Sequence, residues 1–93
     1  MKIAAIRVYP ISTPLDTPFF FSQGWVRRRS STIVEIVTDD GMSGWGEAFS
    51  QGLEPPQISA AVIRSALAPL LLGEDPLAPE VLWHRLYHAT RDY

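Results

Sequence analysis

The spacing of hydrophobic residues changes near Ser50 and divides the chain into a strand-like part and a helical part. Residues 3–11 are rich in Ile, Val and Tyr, and within residues 32–38 the side chains of Val34 and Ile36 alternate with those of their neighbours. Alternation between two faces is typical of β-strands. We therefore predict strands at residues 3–11, 32–38 and 43–49.

A turn signal separates the second and third predicted strands. The sequence there is Asp-Asp-Gly-Met at residues 39–42. Asp tolerates turn geometry and Gly reaches positive φ without a steric penalty. These two strands are predicted to pair antiparallel.

The segment from Leu15 to Arg29 has no clear period, and we predict a long loop there. It contains Pro18, three consecutive Phe residues at 19–21 and Trp25. Loops of this length in small domains are usually functional or disordered, and such dense aromatics require a surface to cover. This stretch is the most informative one for function.

After Ser50, apolar residues recur at helical spacing from Ile58 onwards. Pro69 is predicted to end or bend this first helix and Gly73 to cap it. Residues 75–80 contain start signals for a second helix. The resulting fold class is α+β, a three-stranded antiparallel meander followed by two or more helices.

Composition narrows the classes of function. The 93 residues hold 8 basic and 10 acidic side chains, a net charge of -2, and no cysteine. This balance argues against a nucleic-acid surface. No run is long and apolar enough for a membrane helix, and the start does not resemble a signal peptide. We expect a cytoplasmic domain without nucleic-acid or membrane partners.

Three local patterns imitate reactive or metal sites. Glu80, His84 and His88 lie four residues apart, but they fit the polar face of an amphipathic helix better than a zinc site. The sequence around Ser43 resembles a nucleophile elbow, but Trp45 stands where that motif requires its final Gly. The Gly-Trp-Gly run at 44–46 lacks the third Gly of a dinucleotide fingerprint.

Two charged features remain open. The first is the arginine cluster at residues 27–29, which could bind an anionic substrate. We favour the alternative that these charges keep an exposed strand edge from pairing with another chain. Glu47 follows the Gly-Trp-Gly run, where a ligand can approach closely, although we favour a structural hydrogen-bonding role.

The order of these segments resembles one family. Residues 32–41 (TIVEIVTDDG), 44–48 (GWGEA), 70–76 (LLLGEDP) and 80–83 (EVLW) follow the first strand and long loop. Together they resemble the N-terminal capping domain of the mandelate racemase and muconate lactonizing enzyme branch of the enolase superfamily. The resemblance spans nearly the whole chain.

The resemblance implies an enzyme that abstracts the proton next to a carboxylate, as an acid-sugar dehydratase, cycloisomerase or racemase. It implies a capping domain at residues 1–93, incomplete at its C-terminal end, and a catalytic (β/α)₇β barrel absent from this chain. Mg²⁺ and the catalytic bases belong to that barrel in the family. The resemblance therefore implies no catalytic and no metal-binding residue here, and an inactive isolated chain. Its implied partners are the barrel, a small carboxylate substrate and further copies of the protein.

In this family the first long loop folds over the active site and contacts the distal part of the substrate. That implies substrate contacts from Phe19, Phe21, Gln23 and Trp25, whereas Phe20 is equally suited to pack inward. A second loop offers Ser50, Gln51 and Leu53.

Two other interpretations compete with the enzyme cap. The chain could be a standalone module that binds a small ligand or a protein through its aromatic segment. It could also be an α+β domain whose apolar surface serves only oligomerisation.

Overall fold

A three-stranded antiparallel sheet in the order β1-β2-β3 forms one layer of the domain, and helices form the other. The computed structural model describes residues 1–21, 24–50 and 54–92. The strands are β1 (Ile3–Phe21), β2 (Gly24–Thr38) and β3 (Ser43–Ser50). The helical segments are α1 (Gln57–Val62), a π-helical turn (Ile63–Leu67), α2 (Ala68–Leu71) and α3 (Pro79–Thr90). The predicted α+β class is confirmed.

The turn between β2 and β3 is the tight hairpin that its sequence predicts. The amide of Thr38 donates to the carbonyl of Met42 at 2.8 Å, and Gly41 has a φ of 88°. The Thr38 hydroxyl donates to the carboxylate of Asp40. Because this bond favours the charged form, it lowers the pKa of Asp40.

The prediction of a long loop at residues 15–29 is wrong. β1 continues to Phe21 and β2 begins at Gly24, so the described residues of this segment, 15–21 and 24–29, belong to the two strands of a long β-hairpin. The pairing register shifts between Pro14 and Phe19. A proline lacks the N–H that a ladder requires but is tolerated on an edge strand or at a bulge, and β1 is such an edge. The prolines therefore interrupt the ladder without ending the hairpin.

The helices cover one face of the sheet. Thr32 in the central strand donates from Oγ1 to the carbonyl of Pro56 at 2.8 Å, just before α1. Arg64 donates from Nη2 to the carbonyl of Val8 in β1 at 2.7 Å. The small apolar core contains the buried residues Ile3, Val8, Val26, Ala60 and Leu82.

The first helix does not end at Pro69. Helical backbone continues through this proline to Leu71, and the π-helical turn lies directly before α2. A proline ring clashes with the carbonyl four residues earlier in a regular α-helix. The wider π turn changes the hydrogen-bond pattern where that clash would occur.

Gly73 ends this helical segment, as predicted. Its φ is +84°, a conformation in which glycine carries no steric penalty. Its amide donates to the carbonyl of Ile3 at 2.8 Å, and the Ile3 amide donates to the carbonyl of Glu74 at 2.9 Å. The helix end is thereby tied to the start of β1.

The other sheet face carries Arg7, Glu35 and Trp45 at paired positions of the three strands. Arg7 Nη1 lies 3.2 Å from Glu35 Oε1. The rings of Tyr9 and Trp45 stack at a centroid distance of 6.3 Å, and both side chains are exposed. No element of the described residues covers this face. Across the same residues, no helix combines the length and apolar character needed to cross a membrane.

Candidate substrate-recognition site

The outer end of the β1–β2 hairpin extends beyond the third strand. The pairing of β3 with β2 reaches Ser30, which lies opposite Ser50. Beyond that point β2 pairs with β1, as in the pairs Phe19–Val26 and Phe20–Trp25. We call residues 19–21 and 24–29 the hairpin end.

Aromatic side chains of the hairpin end are exposed in this domain. The rings of Phe20 and Trp25 meet edge to face at a centroid distance of 5.5 Å. Phe20 is 63% exposed and Trp25 is 53% exposed. Phe20 therefore does not pack inward, and both rings are available to cover another surface.

The three arginines at residues 27–29 make different contacts. Arg28 donates from Nε to the hydroxyl of Ser12 at 2.8 Å. The guanidinium carbon of Arg27 lies 5.8 Å from the ring centre of Trp25, and that of Arg29 lies 5.7 Å from the ring centre of Phe19. Both distances are within the range of cation–π attraction. All three arginines belong to the stretch of β2 beyond its pairing with β3, which agrees with the exposed-edge interpretation.

A small open cavity lies between the hairpin end and the C-terminal end of β3. Its volume is about 200 Å³, and it is lined by Phe19, Phe21, Val26, Arg29 and Phe49. The structure therefore brings together two predicted contact residues, Phe19 and Phe21. Trp25 lies outside this lining. Arg29, which the sequence analysis considered only as one of three arginines that suit an anionic substrate, also lines this cavity. Phe49 lines it as well, and the sequence analysis did not select this residue.

The second predicted contact segment is described only in part. Ser50 is 1% exposed and pairs with Ser30 in the sheet. Gln23, Gln51 and Leu53 lie outside the described residues.

The remaining chemical candidates lie elsewhere on the domain. Glu47 accepts a hydrogen bond from the Ser31 hydroxyl, which agrees with its structural interpretation. The rings of His84 and His88 lie 6.4 Å apart on the exposed side of α3. Over the described ranges, no three His, Asp or Glu side chains converge as a metal site would require.

An open apolar groove of about 450 Å³ lies at the opposite end of the sheet from the hairpin end. Its floor includes Val34 and Ile36 of β2 and the backbone of Gly44 and Gly46 in β3. A Cβ at either glycine would meet no atom within 4 Å. The two glycines leave this part of the sheet accessible from outside.

Comparison with known sequences places this architecture in a family. The sequence profile of the mandelate racemase / muconate lactonizing enzyme N-terminal domain matches residues 3–92. The chain belongs to this family. It is an N-terminal capping domain of the enolase-superfamily type, and the resemblance noted from the sequence is confirmed.

Characterised relatives of the family catalyse several reactions. A D-galactarolactone cycloisomerase from Agrobacterium fabrum is 42% identical over 92 residues, covering 99% of this chain and 23% of the relative. A cis-3-hydroxy-L-proline dehydratase from Roseibium aggregatum is 40% identical over 82 residues, covering 83% of this chain and 22% of the relative.

A solved structure of the family agrees with the fold described above. The crystal structure of N-succinyl Arg/Lys racemase from Bacillus cereus superimposes with a TM-score of 0.85 at 32% identity, covering 96% of this chain and 25% of the racemase. The chain thus spans about a quarter of the length of the relatives that it matches.

Proposed function

We propose that this domain is the specificity-determining cap of an enzyme that abstracts the proton α to a substrate carboxylate. The observation that carries the proposal is the hairpin end, which presents exposed Phe20 and Trp25 beyond the third strand. Exposed aromatic side chains on a hairpin that extends beyond the rest of the sheet suit a lid that closes over a ligand and excludes water.

The proposal places residues 1–93 over a (β/α)₇β barrel in the full-length protein. Its relatives are about four times longer than the matched segment, since that segment is 23% of the cycloisomerase. Further support comes from the open apolar groove and from the uncovered outer sheet face with Tyr9 and Trp45. Apolar surface of this extent commonly marks a contact with another domain or subunit. We assign these surfaces to the barrel and to a second copy in a homo-oligomer.

The chemistry of proton removal is assigned to the barrel. When bound there, Mg²⁺ would stabilise the negative charge that forms as the α proton leaves. A racemase of the same fold from Streptomyces coelicolor was crystallised with bound magnesium. The described residues of this domain offer no ligand set for such an ion, and no step of the reaction is assigned to them. Their part is to position the substrate and to exclude water.

The substrate in this proposal is a small carboxylate, such as an acid sugar, its lactone or an amino-acid derivative. We propose that the part of the molecule distant from the reacting carbon contacts Phe19, Phe21 and Trp25 of the hairpin end and, next to them in the sequence, Gln23. Aromatic rings provide large apolar contact area with few rotatable bonds, so they discriminate substrates by shape. The reaction that follows proton removal is elimination, cycloisomerisation or racemisation.

Exchange of the α proton with solvent tests the reaction class directly. The full-length protein is incubated in D₂O with Mg²⁺ and a panel of acid sugars, lactones and N-acyl amino acids, and loss of the α-proton NMR signal is followed. We expect exchange for at least one class and none after removal of the metal with EDTA. Exchange that is equal with and without Mg²⁺ would contradict the assignment. Absence of exchange, together with saturable ligand binding by residues 1–93 alone, would support the standalone binding module instead.

A further inference from the structure

The two histidines of the chain lie on adjacent turns of α3. His84 and His88 are four residues apart, and both side chains are exposed. Residues at this spacing lie one above the other on a helix, with Cβ atoms about 5 to 6 Å apart. The ring centres are 6.4 Å apart and the ring planes differ by 25°. The two imidazoles therefore stand side by side on one face of the helix.

Each imidazole packs against an aromatic ring. His84 meets Trp83 edge to face at a centroid distance of 5.2 Å, and His88 meets Tyr87 in the same way at 5.7 Å. Trp83 and Tyr87 in turn stack at 5.2 Å with their planes 7° apart. These contacts restrict the imidazoles, so less conformational freedom is lost when both bind one ligand.

The ring nitrogens are available for coordination. Among residues 1–21, 24–50 and 54–92, neither His84 nor His88 has a partner for a hydrogen bond or an ion pair. An imidazole without a bound proton on one nitrogen offers that nitrogen as a ligand. Glu80 lies one turn before His84 and adds a carboxylate to the same row. Two nitrogen donors beside a negative charge suit a cation.

The separation of the rings is compatible with one shared ion. A metal–imidazole bond is about 2.0 to 2.1 Å long, so one ion held by both rings needs ring centres about 5 Å apart. The observed 6.4 Å exceeds this by roughly 1 Å. Exposed side chains cover such a distance by small rotations about their χ angles, without movement of the backbone. Two histidines four apart on a helix are also the spacing that binds zinc in helical metal motifs.

We propose that His84 and His88 together bind a divalent transition-metal ion such as Ni²⁺, Cu²⁺ or Zn²⁺. Imidazole suits these ions, whereas Mg²⁺ prefers oxygen ligands. The site thus differs in kind from the Mg²⁺ site assigned to the barrel, and the inference goes beyond the proposed function. Catalytic and structural zinc sites have three or four protein ligands. With two, water completes the coordination and the ion is exchangeable.

Binding of Ni²⁺ to the full-length protein tests the proposal. Calorimetry is performed in excess Mg²⁺, which occupies sites built from oxygen ligands. We expect a Ni²⁺ site that His84→Ala and His88→Ala each weaken by about tenfold or more, because the second imidazole binds an ion that the first already holds nearby. Ni²⁺ should also raise the midpoint of thermal unfolding of the wild-type protein more than that of either variant.

An exchange of two neighbouring residues provides a matched control. His88→Ala combined with Ala89→His keeps the composition and the number of histidines, and both positions are exposed. It moves one imidazole to a different face of the helix, because successive residues are about 100° apart. The exchanged variant should lose as much Ni²⁺ affinity as His88→Ala alone.

Several results would overturn the proposal. These are wild-type affinity in the exchanged variant, equal Ni²⁺ binding by the wild-type protein and all variants, and single variants that keep the wild-type Kd, as two independent imidazoles would. If the variants do not fold, the wild-type protein decides. Ni²⁺ below one equivalent should then broaden the ring NMR signals of His84 and His88 together, and signals that stay sharp would overturn the proposal. The α-proton exchange assay uses Mg²⁺ alone, so failure of this inference and failure of the proposed function are distinguishable.

Discussion

The hydroxyl of Thr32 donates a 2.8 Å hydrogen bond to the carbonyl of Pro56 and joins the middle of the central strand to the start of the first helix. Thr32 is 0% exposed. No water can replace a partner at such a position, so the bond is important for holding the helical layer against the sheet.

Replacing Thr32 with Val should destabilise the domain by about 0.5 to 1.5 kcal/mol, because the hydrogen bond from Thr32 to the Pro56 carbonyl is lost while that carbonyl keeps the bond from the Ala60 amide. The change keeps the shape of the side chain and removes only the hydroxyl. Thr13→Val makes the same change at an exposed position of β1 and should alter the free energy of unfolding by less than about 0.5 kcal/mol. Urea denaturation of both variants measures the difference, and equal effects would contradict the assigned role.

Substitution of Gly73 should destabilise the domain because of its backbone conformation and not because of a steric clash. Its φ is +84°, and a Cβ there would meet nothing within 4 Å. Gly73→Ala should therefore cost about 1 to 2 kcal/mol through left-handed strain. Gly44 also has open space around it but an ordinary φ, so Gly44→Ala should cost less than about 0.5 kcal/mol. A similar cost at both positions, measured by denaturation, would exclude backbone strain as the cause.

The carboxyl group of Asp40 should titrate below its usual value of 3.8, because the Thr38 hydroxyl donates a hydrogen bond to the charged form. A lowered folded-state pKa stabilises the folded protein above the unfolded-state value, and that stabilisation is lost as the pH falls through the folded-state pKa. Carboxyl ¹³C NMR titration measures the pKa. Thr38→Val should bring it back towards 3.8. An Asp40 pKa that the substitution leaves unchanged would show that another group lowers it.

Local sequence signals predicted those parts of the fold that local chemistry determines. The Asp-Gly turn after Thr38 and the left-handed glycine at 73 each follow from backbone preferences of a few residues. The alternation of side chains within residues 32–38 likewise predicted a strand, and these residues lie in β2. These features required no knowledge of the tertiary structure.

The hairpin end was missed because its strands lack a regular period and contain prolines. Pro14 and Pro18 argue against a central strand, but whether a proline lies on an edge strand depends on the order of strands in the sheet. The proximity of Phe49 to Phe19 and Arg29 also depends on tertiary structure, because the three residues lie in three different strands. Aromatic density predicted the region of the candidate site but not its cavity.

The most direct test of the proposed cap compares the specificity of Trp25→Ala with that of the wild-type enzyme. Two substrates are used that share the reacting carboxylate and differ only at the distal end, and kcat/KM is measured for each. Trp83→Ala is the control. Trp83 and Trp25 are similarly exposed, at 58% and 53%, but Trp83 lies on α3 and not in the hairpin end. The account predicts that Trp25→Ala changes the ratio of the two kcat/KM values by about tenfold or more, the scale of a lost apolar contact, while Trp83→Ala leaves the ratio unchanged. An unchanged ratio in the Trp25 variant, or an equal change in both variants, would contradict it.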